Sequence, residues 1–133
     1  MAAAFEVFLV TPEREVWSGR ATLVVARGSE GEVGILAGHT PMLIQLAIGP
    51  LFIDPAHGER LAAAIDGGFL HVVTSGGGTR VDVLAERADL KDEIDLDRAR
   101  RQKDDAEQRL REQDDAEAMA ELAKAITRID LAG

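Results

Sequence analysis

Residues 81–110 read VDVLAERADLKDEIDLDRARRQKDDAEQRL, and the hydropathy pattern breaks inside them. At the start Val81 and Val83 flank Asp82 two residues apart, the period of a strand with one buried face. Further on, Ala99, Lys103, Ala106 and Leu110 recur at three- and four-residue steps, the period of a helix. Composition changes at the same place, near residue 88. Residues 89–133 carry 14 acidic and 9 basic side chains and no Gly or Pro before Gly133, against 10 acidic and 6 basic in the first 88 residues. A segment so densely charged cannot build a core of its own. The chain therefore divides into a β-sandwich, residues 1–88, and a two-helix hairpin, residues 89–133.

Working outward toward the N-terminus, Phe5, Val7 and Leu9 alternate with Glu6, Phe8 and Val10 until Pro12, which predicts a strand with a fully apolar face. Further β-like runs occupy residues 15–18, 21–27, 33–36, 45–53, 60–65, 69–73 and 79–84. Gly28-Ser29-Glu30-Gly31, Asp54-Pro55-Ala56-His57-Gly58, Asp66-Gly67 and Ser75-Gly76-Gly77-Gly78 supply turn chemistry between them. The spacing predicts an all-β sandwich of about eight to ten short strands.

Toward the C-terminus, either Asp95 or Asp97 caps a first helix, and Asp114 with Glu117 three residues on reads as a capping box that opens a second. The second helix gathers Met119, Leu122, Ala123, Ile126 and Ile129 on one face. The first is thinly apolar: Ala99 and Ala106 bury little, and at about 0.8 kcal/mol per CH₂ its anchors are Leu110 and Leu96. Lateral pairs Asp97 with Arg101, Asp105 with Arg109, and Glu107 with Arg111 add about 0.2–0.5 kcal/mol each and are internal to that helix. Such helices outlast their docking, as a switch requires, with residues 89–93 as the hinge.

Zero cysteines exclude disulfides and thiolate metal sites, and His39, His57 and His71 have no ligand-like spacing. A net charge of −9 without a basic run argues against nucleic acid. No stretch approaches the roughly 20 apolar residues of a bilayer span, and residues 1–4 lack the pattern of a signal peptide, so no direct membrane insertion is expected. Catalytic constellations are missing as well: there is no Gly-x-Ser-x-Gly, no paired His at metal spacing and no Walker loop, and Ser75 beside three glycines is a turn.

Gly31-Glu32-Val33-Gly34-Ile35-Leu36-Ala37-Gly38-His39-Thr40-Pro41-Met42-Leu43 resembles the signature loop and strand of the epsilon subunit of F-type ATP synthases. Asp66-Gly67-Gly68-Phe69-Leu70 and Val81-Asp82-Val83-Leu84-Ala85-Glu86 resemble that family's last sandwich strands, and Glu121-Leu122-Ala123-Lys124-Ala125-Ile126 its second C-terminal helix. The resemblance implies a non-catalytic rotor subunit, peripheral to the cytoplasmic face of a bacterial cell membrane. Its sandwich would bind the gamma subunit and the c-subunit ring, and its movable hairpin would regulate ATP hydrolysis, reaching the alpha/beta catalytic head when extended. Glu30, Glu32 and His39 are then candidates for the c-ring contact, and Trp17 and Met42 for the gamma contact, although core packing is the competing role for the last two.

Ile94-Asp95-Leu96-Asp97-Arg98-Ala99 resembles the ATP-binding motif of some bacterial epsilon subunits, Ile or Leu followed by Asp-x-x-Arg-Ala. This implies ATP as a regulatory ligand, no other cofactor being required, held by Ile94, Asp95, Arg98 and Ala99 together with Lys124 and Arg128 of the second helix. Arg98 would offer a planar donor fork to phosphate, and Asp95 would accept from adenine or ribose. Lys124 stands where ATP-binding relatives tend to have Arg, which forgoes a bidentate contact. A purely structural reading stays open beside it, with Asp95 capping the helix and Arg98 in solvent or paired with Asp95. The alternative to a rotor subunit is a stand-alone β-sandwich ATP-sensing module.

Overall fold

A computed structural model describes residues 3–133. Seven strands are followed by a 3₁₀ turn and two helices: β1 (Phe5–Val10), β2 (Glu15–Gly28), β3 (Gly31–Ile35), β4 (Met42–Pro55), β5 (Leu61–Ser75), β6 (Gly78–Ala85), β7 (Ala88–Leu90), the turn Lys91–Glu93, α1 (Leu96–Glu112) and α2 (Ala116–Ala132). Pairing runs β1-β6-β5-β4-β2 and returns from β2 to β1, so the sheet closes on itself as a barrel-like sandwich. Within this circuit β1 and β6 are parallel, while β3 extends the sheet from β2 and β7 pairs with β5. Phe5, Val7 and Leu9 of β1 are fully buried, as their alternation predicts, and meet Val24, Ile35, Leu51, Ile53, Leu70, Val72, Val81 and Val83 in one core.

The all-β class is as expected, but the strands are fewer and longer than eight to ten short ones. Residues 15–18 and 21–27 join into β2, and residues 60–65 and 69–73 join into β5. Asp66-Gly67, expected as a turn, is instead part, with Gly68, of an irregularity inside β5. Upstream of it Ala63 and Ile65 pair with β7; downstream Gly68, Leu70 and Val72 pair with β6. Gly67 and Gly68 take φ of +88° and +133°, and a Cβ on Gly68 would lie 2.1 Å from the Leu84 carbonyl oxygen. Only glycine lets the strand bend and change partners here.

The helices form the expected hairpin. Asp95 caps α1, accepting from the Arg98 amide at 3.0 Å. The cap of α2 is Asp115, accepting from the Ala118 amide at 3.0 Å, one residue beyond the expected Asp114. α2 lies against β4, β5 and the 3₁₀ turn, while α1 is carried mainly by α2. This changes the buried face of α2. Ala118, Ala125, Thr127 and Arg128 are buried, whereas Met119 and Ile126 of the expected apolar face are 64% and 39% exposed. A helix packed between a sheet and a second helix needs small residues for close approach on both sides, and the buried pairs Ala99/Ala106 and Ala118/Ala125 provide them. Leu96 and Leu110 are only half-buried. The lateral ion pairs also differ from expectation: Asp97 meets Arg100 at 3.9 Å, Lys103 meets Glu107 at 3.6 Å, and Arg109 crosses the interhelical turn to Asp115 at 2.9 Å.

Candidate functional site

Between the hairpin and the sandwich, the Arg128 guanidinium enters from α2 and Asp66 from the irregularity in β5, each 5% exposed. Arg128 donates from Nη1 and Nη2 to the two Asp66 oxygens at 2.7 and 3.1 Å, from Nε to Asp89 at 2.9 Å, and from Nη1 to the Lys124 carbonyl one turn back at 3.1 Å. Burial alone would weaken this charge, but the hydrogen bonds and negative charge of Asp66, followed by those of Asp89, hold it above the ordinary arginine value. The fork-to-carboxylate geometry explains why both charges survive burial.

Of the six candidate nucleotide residues, Lys124 and Arg128 share one cavity of about 270 Å³ with Arg87, Gln102 and the carboxylates of Asp66, Glu86 and Glu121. Lys124 also approaches Glu121 at 3.5 Å. Arg98 is exposed and opens instead onto the α1 surface beside Arg101 and Gln102, and among the described residues its guanidinium makes no ion pair. One Asp95 oxygen is taken by the helix cap, Ala99 is buried, and Ile94 is half-buried ahead of α1. The structure thus brings together the two basic residues of α2 but not these with Arg98. Asp66, the principal partner of Arg128, was missed. Its signal was a carboxylate directly after the apolar run Ala62-Ala63-Ala64-Ile65.

The segment expected as a hinge is fastened at several points. Asp89 lies in β7 and pairs with Arg128 and with Arg87, the latter at 3.3 Å. Glu93 accepts the Arg14 fork at 2.8 and 2.9 Å and the Leu90 amide at 2.9 Å. These contacts, Arg14 first, hold the Glu93 carboxyl below its ordinary value.

At the opposite end of β5, the His39 carbonyl accepts from Thr74 at 2.7 Å, and His39 Nδ1 contacts the Thr40 carbonyl at 2.7 Å, so the loop of residues 36–41 is tied beside the β5–β6 turn. Glu30 and Glu32 are exposed at and just after the β2–β3 turn, where Ser29 donates to the Gln45 carbonyl. Gln45 pairs with Phe69, five positions before Thr74, so the two groups stand apart by about 17 Å along β5. Trp17 and Met42 are partly buried against the core. The free apolar surface is different. Strand register aligns Val10, Leu84 and Phe69 in one row and Phe8, Asp82, His71 and Leu43 in the next. Leu43, Phe69 and Leu84 are 65%, 49% and 50% exposed, a cross-strand patch whose alternation was legible but whose outward direction was not.

The geometry defines a class: a closed β-sandwich that presents an apolar sheet face and carries a folded-down helical hairpin. Two domain families cover nearly the whole chain. The family described as ATP synthase, Delta/Epsilon chain, beta-sandwich domain matches residues 4–91, and ATP synthase, Delta/Epsilon chain, long alpha-helix domain matches residues 92–133. The ATP synthase epsilon chain of Streptomyces avermitilis is 46% identical over 102 residues, 77% of this chain and 79% of the relative. That of Rhodococcus erythropolis is 48% identical over 99 residues, 74% and 78% of the two chains. Among solved structures, a chain of the Euglena gracilis mitochondrial ATP synthase OSCP/F1/c-ring assembly superposes with a TM-score of 0.79 at 28% identity, over 99% of this chain and 82% of that one. The chain belongs to the ATP synthase delta/epsilon family, as an epsilon-type, non-catalytic stalk subunit. Among the described residues no helix is long and apolar enough to cross a membrane.

Proposed function

We propose that this epsilon-type subunit docks on the gamma subunit through the sheet face of Phe8, Val10, Leu43, Phe69 and Leu84, and meets the polar loops of the c-subunit ring through Glu30, Glu32 and His39. This puts it on the cytoplasmic face of the membrane, held there by its partners. The α1–α2 hairpin is the movable regulator of ATP hydrolysis at the alpha/beta head. The carrying observation is the apolar row Val10, Leu84 and Phe69 left open across β1, β6 and β5, with Leu43 of β4 exposed in the next row, in a family of stalk subunits. Trp17 and Met42 support that face from beneath rather than forming its exposed part. Phe69→Ser with Leu84→Ser should weaken binding to a purified gamma–c-ring complex by about tenfold or more, as expected of central apolar anchors. Retained affinity with an intact β-type circular dichroism spectrum overturns the assignment. Removing residues 94–133 should raise ATP hydrolysis by the assembled complex; an unchanged rate removes the regulatory role.

A nucleotide-responsive hairpin is the second reading, favoured by the meeting of Lys124, Arg128, Arg87 and Gln102 around one cavity. ATP there has to take Arg128 away from Asp66 and Asp89 and face three carboxylates. Isothermal titration with Mg-ATP at millimolar ligand tests it, with Lys124→Ala abolishing the heat if the site is used and an absence of heat from the unaltered chain overturning it.

A further inference from the structure

We infer that the docked hairpin is latched by the protein itself, without nucleotide, through Arg128 clamped between Asp66 and Asp89. The inference rests on the reading of the hairpin as the movable element and says what holds it down. Arg128 lies in α2, and Asp66 and Asp89 lie in β5 and β7, so each of these ion pairs crosses from hairpin to sandwich. Asp66 is 62 residues away in sequence, and its two oxygens take both ends of the guanidinium fork. The Lys124 carbonyl fixes the guanidinium from within the helix, and Asp89 is held in turn by Arg87.

The fully buried apolar residues of α2, Ala118 and Ala125, are small; Leu122 and Ile129 are half-buried, and Met119 and Ile126 are exposed. A buried charge cluster on a weakly apolar seam behaves as a threshold. While complete it is satisfied; with Arg128 removed, the buried Asp66 is left without its counter-ion. One arginine that the sequence resemblance assigns to ATP is therefore already occupied by protein carboxylates, and docking does not wait for ATP.

The full chain contains no cysteine, so Glu59→Cys on the sandwich and Met119→Cys on α2, both exposed, can carry nitroxide labels for pulsed electron-resonance distance measurement. One narrow docked distance is expected, unchanged by Mg-ATP. Arg128→Gln should lower the docked-to-undocked ratio by roughly 100-fold or more, giving a broad, longer population. Replacing the whole cluster, Asp66→Leu, Asp89→Leu and Arg128→Met together, should restore docking, because a neutral seam has no stranded charge. Arg128→Lys, which keeps the charge but cannot span both carboxylates, should fall between and carries the same test if Arg128→Gln does not fold by circular dichroism. A wild-type chain docked only when Mg-ATP is present overturns the latch, as does an Arg128→Gln or Arg128→Lys distance distribution identical to wild type. Distances in the isolated chain are independent of the hydrolysis rate of the assembled complex, so loss of the latch and loss of the regulatory role are told apart.

Discussion

Glu93 joins three parts of the chain through one carboxylate: the Leu90 amide, the Arg14 fork and the start of the helical region. Arg14 and then the Leu90 amide favour the charged form, so the carboxyl titrates below its ordinary value of 4.5 when folded. With the folded pKa depressed, the stabilisation is fully present above the unfolded pKa and is lost as pH falls through the lower, folded value. Carboxyl NMR titration should therefore show Glu93 still ionised where free glutamates have begun to protonate, and Arg14→Ala should return it toward 4.5. Amide protection factors of residues 88–93 should fall at pH below that titration. Residues whose roles depend on near neighbours were legible in the sequence: Asp95 as a cap needs only the amide three positions on. Arg128 was legible as a basic position of interest, but its acceptors come from distant strands. Nothing local distinguishes a guanidinium facing phosphate from one facing carboxylate.

At the scale of the element, β5 is the strand on which the rest is organised. It pairs with β7 before Gly67-Gly68 and with β6 after, and the bend delivers Asp66 to the hairpin. Gly68→Ala puts a methyl group against the Leu84 carbonyl at a φ that alanine resists, and should cost at least about 1 kcal/mol, read as a lower urea midpoint with unchanged m-value. Ala125→Leu should cost about 1–3 kcal/mol by overpacking, falling on hairpin docking and leaving the sandwich transition in place. Period identified strands and helices well, because backbone geometry alone produces it. Which face of α2 is buried was not legible: the helix serves α1 on one side and the sheet on the other, and a buried arginine displaced the expected stripe.

Across the molecule, the main core draws every member from residues 5 to 88, and none from α1 or α2. A chain ending after Glu93 should therefore keep its β spectrum and a cooperative urea transition, with Asp66 and Asp89 hydrated in place of paired. The change of composition near residue 88 lies close to this division, since so densely charged a segment has little to bury, although β7 carries the sheet on to Leu90. Closure of the sheet by parallel pairing of β1 with β6 was beyond the sequence, because it joins strands about 75 residues apart through register that no local pattern encodes.

Each helix has 17 residues, or about 25 Å at 1.5 Å per residue. Because α1 is carried mainly by α2, parting α2 from the sheet frees both together as one closed fork of that length. The small buried residues of both helices, the turn Gln113-Asp114-Asp115 and the Arg109–Asp115 pair keep the fork shut. Whether these contacts hold or part sets the reach of a released arm at about 25 Å or, straightened, about 50 Å. The molecule separates the act of letting go from the distance it can then travel, and assigns them to different sets of contacts.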